Sequence, residues 1–234
     1  MATANPVLDS LWEETLHWQP TPQQQEQFQR FYRAILTANQ SVNLTRITAA
    51  TDFWEKHLWD SLRGIAPWLG SASEPWGVSI QRVIDIGSGG GFPGVPVAIA
   101  RPDWHVTLLE ATQKKVRFLE SLPQHLELKH LRAEWGRAEN HPSTYDLAVM
   151  RAVGDLTRCC QYGLPRVRPG GILILYRGQW TAAEEAALIP LLRRYSAHVL
   201  ELQGFVTPLT QAQRHCLYLQ RGEPIARPTA SQNS

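Results

Sequence analysis

The chain is 234 residues long, enough for one full core with a helical extension, and its 23 basic and 21 acidic residues leave a net charge of only +2. Three cysteines (Cys159, Cys160 and Cys216) make no metal-ligand spacing, so the adjacent pair reads as small buried hydrophobes rather than a disulfide or redox site. No apolar run approaches the roughly 18 residues of a membrane span and no basic-then-apolar leader opens the chain, so a soluble cytoplasmic protein, outside any membrane, is the expectation.

Leu8, Leu11, Trp12 and Leu16 suggest a short helix before Pro20 and Pro22. From Gln23, helical spacing of Phe28, Phe31, Tyr32, Ile35 and Leu36 predicts a second helix, and Thr51 to Leu62 predicts a third. Pro67 to Ser79, with two prolines and two glycines, reads as a linker. Strands are then expected at Val83–Ile86, His105–Leu109, Leu126–Leu131, Leu147–Met150 and Ile172–Tyr176. Helices alternate with them at Gly94–Ala100, Gln113–Leu122, Asp155–Tyr162 and Ala182–Arg194. Such alternation predicts an α/β fold with a doubly wound, mostly parallel sheet of Rossmann-like type. His198–Leu202 and His215–Leu219 have no clear helix between them, which predicts a closing antiparallel hairpin. The expected organisation is a helical N-terminal cap (1–66), a linker (67–79), a cofactor-binding domain (80–221) and a disordered polar tail (222–234).

The most telling segment is Val83 to Gly94, an apolar strand running into Gly87-Ser88-Gly89-Gly90-Gly91-Phe92-Pro93-Gly94. Glycine tolerates positive φ and lets backbone N–H groups approach a ligand, so strand, glycine turn and helix form a nucleotide-cofactor entry. Gly89, Gly91 and Gly94 satisfy the dinucleotide pattern, which alone is weak evidence. Asp85, two residues before Gly87, favours a ligand with cationic groups, as in S-adenosylmethionine, over a pyrophosphate, with a strand-end carboxylate bonded to nearby backbone N–H groups as the structural alternative. Glu110 ends the second strand, where an acid accepts ribose hydroxyls of either cofactor. Ala133 and Glu134, following the third expected strand, fall at the level of an adenine ring. A nicotinamide domain continues its βα alternation, whereas a methyltransferase sheet ends in a hairpin preceded by a turn such as Arg168-Pro169-Gly170-Gly171. The segment after the fourth strand, Met150-Arg151-Ala152-Val153, lacks the Asp/Asn-Pro-Pro-aromatic motif of exocyclic-amine methylation, and no Pro-Cys pair offers a nucleophile for cytosine C5. Ring-nitrogen and oxygen acceptors stay open. Residues 151–221 carry nine arginines against Asp155, Glu184, Glu185 and Glu201, which suits nucleic acid or reflects a general preference for arginine. Arg151 and Arg177 end adjacent strands, and converging there they are costly unless an anion arrives.

From about residue 25 to 220 the chain resembles the bacterial 16S rRNA guanine-N7 methyltransferases of the RsmG, or glucose-inhibited division protein B, family. The resemblance is carried by Asn43-Leu44-Thr45, His57 with Asp60-Ser61, the Asp85–Gly94 loop with its Gly-Phe-Pro-Gly ending, Lys114 to Glu120, Arg132-Ala133-Glu134 and Arg151-Ala152. It implies an S-adenosylmethionine cofactor, with contacts at Gly87, Phe92, Ala133, Glu134 and Arg151, and 16S rRNA or a small-subunit particle as partner. One departure is Arg177-Gly178, where the family commonly has lysine before glycine. Asn43, His57, Arg177 and Arg214 are the candidate RNA residues, with helix capping or an internal His57–Asp60 pair as the structural alternative for the first two. Guanine N7 carries a lone pair and no proton, so the implied transfer needs no general base and no metal, and no catalytic residue is nominated. A monomer is expected. An NAD(P)-dependent oxidoreductase, a methyltransferase acting on a small molecule or protein, and a non-catalytic RNA-binding module are the competing readings.

Overall fold

The computed structural model describes residues 6–70 and 74–222, so most of the tail expected to be disordered lies outside the described residues. Seven strands form one sheet in the order β3-β2-β1-β4-β5-β7-β6. They are β1 Arg82–Ile86, β2 His105–Glu110, β3 Leu131–Trp135, β4 Tyr145–Arg151, β5 Val167–Arg177, β6 Ala197–Val206 and β7 Gln213–Arg221. Neighbours pair in parallel except at β7, which runs antiparallel to both β5 and β6. The mostly parallel α/β sheet and its closing hairpin stand as the sequence predicts.

One strand lies elsewhere. Leu126–Leu131 was expected to form β3, but Leu126 closes the preceding helix and Leu128 fills the core from a loop; the strand begins at Leu131. Arg132, Ala133 and Glu134 therefore lie within β3 and not beyond it. Only Leu131 of β3 is buried, so the strand lacks the apolar run that marks its neighbours.

Helices α1 (Pro6–Leu16) and α2 (Pro22–Ala38) precede the sheet. Thr21 and Gln24 form a reciprocal capping box with Pro22 in the first turn, which starts α2 cleanly. Its buried residues Gln27, Phe28, Phe31 and Ile35 make one face, and the Gln27 amide donates to Leu126 O at 2.9 Å. A third helical stretch follows as α3 (Ala50–Phe53), a π-helical turn (Trp54–Trp59) and α4 (Asp60–Arg63). Next come α5 (Gly94–Ala100), α6 (Gln113–His125), α7 (Leu156–Gly163) and α8 (Ala182–Tyr195). One core joins the N-terminal helices, α5 and α6 to one face of the sheet; a second joins α7 and α8 to the other. Among the described residues no helix is long and apolar enough to cross a membrane.

The N-terminal helices are locked to the sheet by polar contacts as well as by packing. Tyr176 on β5 donates to Ser61 O at 2.6 Å, and Tyr218 on β7 donates to Gly64 O at 3.0 Å. Gly64 has no room for a Cβ, which would stand 2.3 Å from the Tyr176 ring. In residues 67–79, Trp68, Leu69 and Val78 are buried, and Trp68 meets Trp104 edge-on.

Candidate active site

The glycine loop leaves the carboxyl end of β1, the edge at which doubly wound sheets hold ligands. Gly87, Gly89 and Gly91 have φ of +75°, +59° and +96°. At Gly87 the requirement is double, because a Cβ there would also stand 2.7 Å from Val153 Cγ2. Gly87 N and Ser88 N donate to Leu109 O, and Gly89 N donates to Glu110 Oε2 at 2.9 Å. The other Glu110 oxygen accepts from Thr112 N at 2.8 Å, so this carboxylate ties the loop to the end of β2.

Asp85 lies beneath the loop, fully buried. Its Oδ2 accepts from Gly94 N at 2.9 Å, while Oδ1 has no partner. Burial pushes the carboxyl up to about 7. The side chain expected to face a cationic ligand holds the loop from below instead, out of the cavity wall.

The opposite wall comes from the π-helical turn, in which Asp60 N–H bonds back to Glu55 O. Such widened turns recur at functional sites because they re-aim side chains. Here Lys56 O, His57 and Asp60 all meet Arg151, the last residue of β4. One guanidinium nitrogen donates to Asp60 Oδ2 and to Lys56 O, each at 3.0 Å, and the other to His57 Nδ1 at 3.3 Å. With Nδ1 accepting, the His57 proton sits on Nε2 and is donated to Thr45 Oγ1 at 2.8 Å. Burial, and then the Arg151 charge, lower the His57 pKa to about 3, so the ring is neutral and both nitrogens are occupied. It stacks on Phe92 of the glycine loop, centroids 4.1 Å apart, and Arg151 lies 5.4 Å from the same Phe92 ring.

Between these walls is a cavity of about 630 Å³. Of the residues singled out in the sequence, Gly87, Gly89, Phe92, Glu110 and Arg151 line it, joined by His57, Arg177 and Arg214. Asp85, Asn43, Ala133 and Glu134 do not. Glu134 instead pairs with Arg132 at 2.9 Å and approaches His141 Nδ1 at 3.5 Å. Asn43 belongs to a loop that Asn39 organises, its side chain accepting from Leu44 N and Thr45 N and donating to Thr45 O. The converging arginines are not bare: Arg151 pairs with Asp60 and Arg177 with Glu184. Arg214 has no carboxylate partner among the described residues, and its buried Nε, like that of Arg177, has no hydrogen-bond partner. Asp60, Lys56 and Lys115 also line the cavity. Sequence reasoning missed Asp60 as the partner of Arg151, because nothing in its spacing links residues 91 positions apart.

Comparison with known proteins decides among the readings. The family model described as rRNA small subunit methyltransferase G matches residues 24–216. The chain belongs to this family. Its relatives include the Ribosomal RNA small subunit methyltransferase G of Thermosynechococcus vestitus, 69% identical over 90% of this chain and 92% of the relative. That of Microcystis aeruginosa is 48% identical over 92% and 98%. The branched-chain polyamine synthase mutein from Thermus thermophilus shares the fold, with a TM-score of 0.57 at 15% identity over 87% of this chain and 67% of that one. So does P. horikoshii TYW2 in complex with MeSAdo, with a TM-score of 0.52 at 14% identity over 70% and 62%.

As a member of this family the chain is an S-adenosylmethionine-dependent rRNA methyltransferase, and the oxidoreductase reading falls. The residues present fit that cofactor. The cavity has the size of a small-molecule site. Its floor is glycine backbone, where a Cβ on Gly89 would meet nothing nearer than Gly87 O at 3.9 Å. The Glu110 carboxylate stands in its wall, with lone pairs left for hydroxyls.

Proposed function

We propose that the protein transfers the methyl group of S-adenosylmethionine to N7 of a guanine in 16S rRNA, presented by the small ribosomal subunit or its precursor. The observation that carries this is the single cavity where the glycine loop and Glu110 meet Arg151, Arg177 and Arg214, in a chain of this family. The cofactor, when bound, supplies an electrophilic methyl on a sulfonium. Glu110 accepts ribose hydroxyls, and Gly87 and Gly89 let the cofactor approach the backbone. Phe92, stacked on His57, fixes the loop's far side, and Ala133 and Glu134, on β3 outside the cavity lining, are proposed to meet an adenine that extends past it. Asp85 supports all of this from beneath.

Guanine N7 brings its own in-plane lone pair, so attack on the methyl releases no proton and requires no base. His57 is consistent with this, since its nitrogens are engaged by Arg151 and Thr45. Catalysis then comes from in-line positioning, worth roughly 7–11 kcal/mol when fully realised. Arg177, Arg214 and Lys115 meet the RNA backbone at the cavity mouth, with Asn43 on the neighbouring loop. Residues 1–66 act as a cap, joined through 67–79 to the catalytic unit at 80–221. The target base must be unpaired or extruded to reach the cavity. Trp135, 66% exposed and tethered through Nε1 to Ala111 O, is the one exposed tryptophan among the described residues and a platform on which a neighbouring base stacks. Mapping N7-methylguanine in 16S rRNA by chemical cleavage, with and without the protein, tests the assignment. A cleavage pattern that does not depend on the protein refutes it.

A further inference from the structure

We infer that Glu55 is a positioning residue for RNA: it clamps the β6–β7 turn and thereby sets Arg214 at the cavity mouth. The inference rests on the reading of Arg214 as an RNA contact and adds the device that holds it.

Glu55 sits in the π-helical turn directly before Lys56 and His57, and it is 1% exposed. Its side-chain hydrogen-bond partners all lie in one distant turn. Oε1 accepts from Leu209 N at 2.5 Å and from Thr210 N at 2.9 Å, while Oε2 accepts from the Thr210 hydroxyl at 2.6 Å. A carboxylate this deeply buried is costly unless donors compensate it, and here three donors of one turn do so. The turn's other hydrogen bonds are internal, among them Thr207 N to Ala212 O and Ala212 N to Thr207 Oγ1, each at 3.0 Å, and Leu209 packs against the core. Two residues beyond Ala212, Arg214 lines the cavity with an unpartnered, buried Nε. The helical turn that carries Lys56 and His57 into the cavity thus also fixes the hairpin end that carries Arg214. Both sides of the RNA entrance share one support.

The test compares Glu55→Ala, Glu55→Gln, Thr210→Val, Arg214→Ala and the Glu55→Ala/Arg214→Ala double variant of the full chain. The substrate is small ribosomal subunits purified from cells lacking this methylation. Arg214→Ala is expected to raise KM for subunits about tenfold, the loss of one charge-assisted contact, with kcat within about twofold. Glu55→Ala should do the same. The double variant should be no worse than the more affected single one, because the two residues act in series. Glu55→Gln, whose carboxamide oxygen still accepts both N–H groups, should stay within about threefold of wild type. Affinity for S-adenosylhomocysteine should be unchanged in all of them, which reports an intact cofactor side. Independent, multiplying effects overturn the inference, as does a normal KM in Glu55→Ala beside a raised one in Arg214→Ala. A normal KM in Arg214→Ala instead removes the RNA reading of Arg214, and the inference with it. Should Glu55→Ala not fold, Thr210→Val in the wild-type and Arg214→Ala backgrounds decides the matter, with Thr207→Val as the control, since Thr210→Val deletes the hydroxyl donor to Oε2 together with its contact to Thr207 Oγ1.

Discussion

Replacing Asp85 with asparagine tests whether the carboxylate beneath the glycine loop is protonated in the folded protein. Burial raises its pKa from the ordinary 3.8 to about 7. The folded state therefore holds a proton that the unfolded chain releases between those values. The stability this contributes is complete below pH 3.8 and is lost as pH rises through 7, at about 1.4 kcal/mol per pH unit and about 4 kcal/mol in all. Asparagine cannot ionise, and its carbonyl still accepts from Gly94 N. Its NH₂ takes the place of Oδ1, which has no partner, and that adds a pH-independent penalty of about 1–3 kcal/mol. His57 has the opposite slope: its pKa falls from 6.5 to about 3, so its contribution is complete above 6.5 and is lost as pH falls toward 3. Between pH 3.8 and 6.5 the two slopes cancel in the wild type, whereas Asp85→Asn exposes the His57 slope alone. Urea unfolding of the cofactor-free protein from pH 4.5 to 8.5 should show Asp85→Asn gaining on the wild type by about 1.4 kcal/mol per unit up to pH 7 and by nothing further above it. A stability difference that is constant across the range would show that Asp85 is ionised throughout and refute the reasoning.

Asp60→Ala leaves Arg151 with only Lys56 O and His57 Nδ1; it should cost about 3 kcal/mol and lower Tm by roughly 6–10 °C in a scan, whereas Asp60→Asn should cost less. Gly64→Ala drives a Cβ to 2.3 Å from the Tyr176 ring and should cost about 1–3 kcal/mol in chemical unfolding. Tyr176→Phe, which loses only the bond to Ser61 O, should cost about 1 kcal/mol by the same measurement. In RNA-binding titrations against salt, Arg214→Ala should flatten the log–log slope by about 0.7–0.9. Arg177→Ala should flatten it less, because Arg177 must give up Glu184 to bind phosphate; equal changes would contradict the pairing.

What the sequence made legible follows from where side chains bury on both faces of the sheet. β1, β2, β4 and β5 are flanked by helices on two sides and read as apolar runs, and the hairpin was legible because no helical pattern separates its strands. β3 is the end strand of the sheet, with Arg132 and Trp135 exposed, so the apolar residues just before it drew the expectation N-terminally. The glycine loop was legible because positive φ at the alternate positions 87, 89 and 91 favours glycine. Charge was legible as a count but not as pairs. Glu184 serves both as the capping acid for Thr181 N and as the partner of Arg177, and no local pattern announces the second role.

The least legible feature is the one on which the site depends most. Helical periodicity locates a helix over residues 51–62 but cannot report a π-helical turn within it, and that turn decides what its side chains meet. In the observed geometry Glu55 reaches the β6–β7 turn, His57 reaches Phe92 and Asp60 reaches Arg151, three parts of the sheet domain held from six consecutive residues. In the proposed function Phe92 belongs to the loop that bounds the cofactor, and Arg151 ends the strand beyond which the methyl acceptor enters. On that proposal the distance between donor and acceptor is set by this helical segment as much as by the sheet. In-line transfer to an atom that needs no proton removed depends on that distance above all, and the contacts of Arg151 with Lys56 O, His57 and Asp60 fix the N-terminal helices to the sheet within the cavity wall itself.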